Sequence, residues 1–204
     1  GIVEFWRQLK DTVHPKDAPV FERFGEHAFN LKYPPPAYIG DVLNAPVLIL
    51  KNGGGLNENT PAEFPDSAAH EEYRQALAFP RPSDLNDRTL SPYYRCRNYI
   101  GMLVSGEAAL INCVAYRAEG GNSKGVRELT QILPSARFHR AWLLDEVLPL
   151  VNKGKRFLVI HHQGRWRPAT DVFAGHPNAI FSTAPINRDL TWQEMAAARA
   201  FPAR

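Results

Sequence analysis

The stretch Ala45-Pro46-Val47-Leu48-Ile49-Leu50-Lys51-Asn52-Gly53-Gly54-Gly55 constrains the fold more than any other part of the chain. Four consecutive apolar residues, two of them β-branched, describe a strand buried on both faces, and burial on both faces belongs to parallel sheets covered by helices. Three glycines behind the run let the backbone turn sharply with no side chain in the way. Asn52 stands at that corner. In open α/β sheets ligands bind outside the carboxyl ends of the strands, so an amide followed by bare backbone marks a candidate reaction centre. A tight strand-to-loop turn without chemistry is the other reading of the same residues.

The rest of the chain alternates helix and strand patterns. Helices are expected over residues 4–13, over 67–79 with Ser67 as N-cap and Pro80 and Pro82 as the stop, and over 92–104. The strongest amphipathic pattern, Phe138, Trp142, Leu143, Val147 and Leu150, predicts a helix over 135–151, and a Thr191 cap opens a last one reaching about Ala200. Strands are expected at 47–50, 108–116, 157–161 and 179–182, with Asn112 the one polar residue inside the second. Residues 33–37, with three prolines, form an extended lead-in, and 120–125 a mobile basic loop. The order predicts an α/β protein, a three-layer α/β/α sandwich around a central, mostly parallel four-stranded sheet.

With 204 residues, 44% of them hydrophobic, the chain suits a single domain over residues 1–204 rather than two. No apolar run reaches the length of a membrane span, and the first ten residues lack the apolar centre of a signal peptide, so a cytoplasmic protein with no membrane partner is expected. Cys96 and Cys113 cannot by themselves build a four-cysteine zinc site or iron-sulfur cluster. A net charge of +3 suits a polyanion partner without requiring one. His161 and His162 are adjacent on a strand and should point to opposite faces, so at most one meets a pocket, and no metal site is expected. Arg165, Arg167, Arg188, Lys124 and Arg127 fall in loops expected at the same sheet end, a placement that favours phosphate contacts, with simply solvated surface cations as the plainer alternative. Tyr93, Tyr94 and Tyr99 read as helix-face packing or, alternatively, as a stacking platform.

Four segments in order carry a family likeness. Pro36-Ala37-Tyr38-Ile39-Gly40-Asp41, Leu50-Lys51-Asn52-Gly53-Gly54, Leu110-Ile111-Asn112-Cys113-Val114 and Ser182-Thr183-Ala184-Pro185-Ile186-Asn187-Arg188 resemble, in register, the motifs of the uracil-DNA glycosylase superfamily, over about residues 33–190. The resemblance implies DNA as partner, no cofactor, and hydrolytic excision of uracil or a related deaminated base. It places Asn52 where the family positions the attacking water and Asn112 where it reads the extruded base. Gly53, Gly54 and Phe64 would line the base pocket, Ser182 would occupy the place of the motif-loop histidine, and Pro185, Asn187 and Arg188 would pinch the DNA backbone.

The departures are Gly53 in place of a proline, Ser182 in place of histidine, and the charge of Lys51 beside the turn. Cleavage of an N-glycosidic bond passes through an oxocarbenium-like state with the base leaving as an anion. The site then needs a directional amide for the base, a placed water, and donors at the developing negative oxygen. Asn112 suits the first and Asn52 the second, while backbone N–H groups of Gly53 and Gly54, Ser182 or a nearby histidine suit the third. Asn112 as a hydrogen-bonded core amide is the plainer alternative. At the level of function, a non-catalytic nucleic-acid or nucleobase binder on the same fold stands beside the enzyme. A phosphate-binding enzyme using the Gly53-Gly54-Gly55 turn is disfavoured, because no Gly-Lys-Ser/Thr ending follows it.

Overall fold

The computed structural model describes residues 1–56, 58–120, 122–185 and 189–201. At its centre, six strands form one mixed sheet among the described residues: β1 (Phe29–Asn30), β2 (Tyr38–Ile39), β3 (Val47–Gly55), β4 (Ala108–Ala118), β5 (Phe157–Ile160) and β6 (Ala179–Phe181). The four apolar runs seen in the sequence make a parallel core in the order β4-β3-β5-β6. Two further strands correct the expected count of four. β1 and β2 pair antiparallel with the outer edge of β4, Phe29 opposite Ala118 and Tyr38 opposite Ile111. At two residues each they are too short to carry a periodic signal. Three prolines before β2 cannot donate to a ladder, which suits an edge position.

Alternation along the strands divides the core. Leu48, Leu50, Ala109, Ile111, Leu158 and Ile160 pack with Ile2, Trp6, Tyr73, Leu77, Trp142 and Leu143, from the helices Ile2–Trp6 and Ser67–Ala78 and the helical run after Pro134. Val47, Ile49, Leu110 and Val159 meet Tyr94, Met102, Leu103 and Met195, from the helices Pro92–Arg95, Ile100–Ser105 and Trp192–Ala200, and Tyr99, the N-cap of the second. Helices therefore cover both faces, as a doubly buried strand requires. A third cluster, Val114, Tyr116, Phe21, Phe29, Val126 and Leu129, extends the core beyond the glycines of β3.

Several boundaries move for local reasons. The first helix ends at Trp6 instead of residue 13, because the chain folds back and stacks His14 on Phe5 with ring centres 4.0 Å apart. Asp66, one residue before the expected Ser67, is the N-cap that accepts the Ala69 N–H at 2.9 Å. The expected helix over 92–104 is broken after Arg95, where Asn98 turns its backbone N–H to Asp189 and its carboxamide to the Leu190 carbonyl. The 135–151 helix runs through as Pro134–Trp142 and Leu148–Asn152, joined by a π turn at Leu143–Val147. Pro149 lacks the N–H that an unbroken α ladder needs there. Thr191 caps the last helix in a full capping box with Glu194.

Candidate functional site

The strand order fixes where a ligand fits. From β3 the chain crosses to β4 on one side and then returns to β5 on the other, so the direction of winding reverses between β3 and β5. A crevice opens outside the carboxyl ends of two strands wherever this happens, and open α/β sheets bind ligands there. Lys51 and His161 stand at that place.

Register makes them neighbours. Leu50 is opposite Ile160 and Lys51 is opposite Asn112 in the parallel ladders, and the His161 N–H still donates to the Leu50 carbonyl at 3.0 Å. Residues opposite one another in a parallel ladder send their side chains to the same face. Asn112, Lys51 and His161 therefore form one transverse row across β4, β3 and β5. The row is buried, at 0%, 3% and 3% exposure.

Three tyrosines from residues 92–105 roof this row. The Lys51 Nζ lies 5.4 Å from the Tyr93 ring centre and 6.0 Å from that of Tyr99, and it donates a long hydrogen bond, 3.4 Å, to the Tyr93 hydroxyl. Tyr94 packs edge-on against Tyr93 and interacts with the Asn112 side chain. Arg97 lies over the Tyr93 ring at 4.3 Å and reaches Asp189 at 3.7 Å.

The electrostatics are those of a site short of negative charge. Burial, with Arg97 adding repulsion, brings the Lys51 ammonium down to about 8, against a smaller upward pull from Asp189. Burial and then Lys51 push His161 down to about 3, and burial, Lys51 and Arg165 push His162 down to about 4, so both imidazoles are neutral at physiological pH. Five polar atoms here, Asn112 Oδ1, the Tyr99 hydroxyl, both ring nitrogens of His161 and Nε2 of His162, are buried without a hydrogen-bond partner among the described residues. Each such atom costs about 1–3 kcal/mol. Folded proteins keep few of them, and five such atoms on neighbouring side chains, acceptors and donors together, suit a polar guest.

The residues expected from the sequence divide into three groups. Asn112 lies in the row, its Nδ2 donating to the Pro36 carbonyl at 2.6 Å with Oδ1 left over. Asn52 does not converge with it: one residue beyond Lys51, its carboxamide turns to the opposite face and accepts the Arg165 N–H at 2.9 Å, beside Gly164. Gly53 and Gly54 serve close packing, since a Cβ would come within 2.6 Å of Arg165 Nη1 at the first and of Pro36 Cγ at the second. Phe64 packs against Tyr33 at 5.3 Å and under Arg117 at 5.4 Å, in the core of the face away from the row. Ser182 donates to the buried Glu194 carboxylate at 2.9 Å and accepts the Ala184 N–H. Pro185 is exposed, and Asn187 and Arg188 lie outside the described residues.

Two further expectations need correction. His161 and His162 do not diverge, because β5 ends at Ile160 and the two rings stack 4.4 Å apart. Of the loop cations read as phosphate contacts, Lys124 pairs with Glu26 and Arg167 with Asp171. The sequence marks Lys51 as a charge beside the turn and His161 as one of two histidines of which at most one meets a pocket, but not their pairing, although Val47-Leu48-Ile49-Leu50 and Phe157-Leu158-Val159-Ile160 are matching apolar runs, each followed at once by a basic residue.

Among the described residues no group of three His, Cys, Asp or Glu side chains is placed to hold a metal ion, and no helix is long and apolar enough to cross a membrane. Comparison of the chain with protein-family models, curated proteins and solved structures finds no match.

Proposed function

We propose that the carboxyl rim between β3 and β5 receives an extruded nucleobase and that the protein is a monofunctional DNA glycosylase-type hydrolase, excising uracil or a related deaminated base. The layering we infer, helices over both sheet faces in a three-layer α/β/α sandwich, is the one expected with that activity. The observation that carries the reading is the buried row Asn112, Lys51 and His161 at the switch point. The unpaired Oδ1 of Asn112 is an acceptor for the N3–H of uracil, and the half-buried Tyr93 offers a ring to its face. The base departs as an anion, and Lys51 with a neutral, donating His161 offsets the charge that develops on its oxygen. Because the transition state is dissociative, stabilising the departing base carries more of the catalysis than activating the water, and no carboxylate among the described residues stands in the row to oppose it.

The test is a uracil-containing oligonucleotide incubated with the protein and then with alkali. Strand breaks at uracil but not at thymine, lost in Asn112→Ala, support the enzyme. Specific binding with no abasic product supports a non-catalytic nucleobase binder. One observation favours that second reading: the carboxamide of Asn52 is engaged by Arg165 on the far face, away from the row.

A further inference from the structure

Lys51 is a cation in a place that charges it heavily in free energy. It is 3% exposed, forms no ion pair among the described residues, and has the Tyr93 hydroxyl at 3.4 Å as its hydrogen-bond partner. A structural lysine runs its stem along apolar surface and ends in water or at a carboxylate. This one stands on β3 just past its last residue paired with β5, near two neutral imidazoles and the guanidinium of Arg97. Desolvation beside a second cation is the arrangement that turns a lysine into a nucleophile. Tyr93, the ring above the amine, is half-buried, while Tyr94 and Tyr99 beside it are buried.

We propose that Lys51 is an imine-forming residue whose amine condenses with the C1′ aldehyde of a deoxyribose that has lost its base, so that the protein holds its abasic product covalently and reversibly. The identity of the sugar rests on the glycosylase reading; the reactivity of the amine rests on its burial, its lack of an ion-pair partner among the described residues and the cation beside it. The nitrogen lone pair of Nζ attacks the carbonyl carbon of the open-chain sugar, and the oxygen takes up a proton to give a carbinolamine. Loss of that hydroxyl as water leaves the C=N bond. Addition of water reverses both steps and frees the lysine, with no oxidant or reductant consumed. With its titration brought to about 8, about a quarter of the amine is unprotonated near pH 7.5, against roughly 0.1% for an ordinary lysine. The same group is mostly a cation at pH 7, as the preceding excision step requires.

The experiment supplies the abasic site directly. Wild-type protein is mixed with an oligonucleotide carrying one abasic site, treated with cyanoborohydride to reduce any imine to a stable amine, and run on a denaturing gel, with a native gel recording binding. The expected result is a covalent protein–DNA species whose digest carries the adduct on the Lys51 peptide, reduced more than about ten-fold in Lys51→Arg, which keeps the charge but loses the nucleophile. DNA bound without an adduct, or an adduct on another amine such as the Gly1 terminus, overturns the inference. The peptide map of the wild type decides this even if the variant folds poorly. A second arm uses deoxyribose 5-phosphate in place of DNA: labelling of Lys51 there, with no binding of the oligonucleotide, upholds the amine chemistry and removes the glycosylase reading, whereas Lys51 unlabelled in both arms removes the inference.

Discussion

Trp6 donates its indole N–H to Nε2 of His139 at 2.7 Å, and Nδ1 of the same ring lies 2.8 Å from the carbonyl oxygen of Asn112. The first contact fixes the tautomer. Because Nε2 accepts, Nδ1 carries the proton and donates to β4. A single buried imidazole thus ties the N-terminal helix to the strand residue that borders the site.

That imidazole makes the fold sensitive to acid. Burial pushes His139 down to about 4, outweighing the backbone bond to Asn112 that favours the charged ring. Its folded value lies below the ordinary 6.5, so the unfolded chain takes up the proton first. The contribution is complete above pH 6.5 and is lost as pH falls from there towards 4, at up to about 1.4 kcal/mol per pH unit, with His161 and His162 acting in the same direction. Urea midpoints measured at pH 7.5, 6 and 5 should fall in that order. Trp6→Phe, which strands Nε2 without its donor, should cost a further 1–3 kcal/mol or so at neutral pH.

Excision should weaken at alkaline pH. The leaving base is stabilised by Lys51 as a cation, and the group loses its proton as pH rises through about 8. Rates of uracil release between pH 6.5 and 9.5 should therefore turn down near 8. In Lys51→Arg, whose charge persists throughout, that limb should vanish.

Much of this architecture could be read from the chain because parallel strands announce themselves as unbroken apolar runs. The runs expected at 47–50, at 108–116, interrupted by Asn112 alone, and at 157–161 all became strands, and Thr191 caps the last helix as expected. What stayed hidden depends on pairing across the sheet. Nothing local reveals that Leu50 faces Ile160, and that one register brings Lys51 and His161 side by side, while strand alternation sends Asn52 to the other face. The helix expected over residues 92–104 failed for the same reason: its break at Asn98 answers to Asp189 and Leu190, some ninety residues away.

Asn52 holds a loop in place. Its Oδ1 is the acceptor for the Arg165 N–H, so Asn52→Ala should cost about 1 kcal/mol in chemical denaturation. Uracil release by the same variant should stay within a few-fold of wild type. Its complete loss would return Asn52 to the reaction centre.

Glu194 organises the chain after β6. The carboxylate is buried and accepts from the Ser182 hydroxyl and from the backbone N–H groups of Thr183 and Thr191. Removing it leaves three donors unpaired. Thermal unfolding should show Glu194→Ala destabilised by about 2–4 kcal/mol and Ser182→Ala by about 1 kcal/mol.

The most direct measurement of the row itself is the ring signals of the histidines by NMR as a uracil-containing oligonucleotide is titrated in. With both nitrogens unpaired in the crevice, His161 should shift on binding, while His139, closed off between Trp6 and Asn112, should not. Saturating binding that leaves His161 unmoved would place the ligand elsewhere and contradict the assignment of this rim as the site.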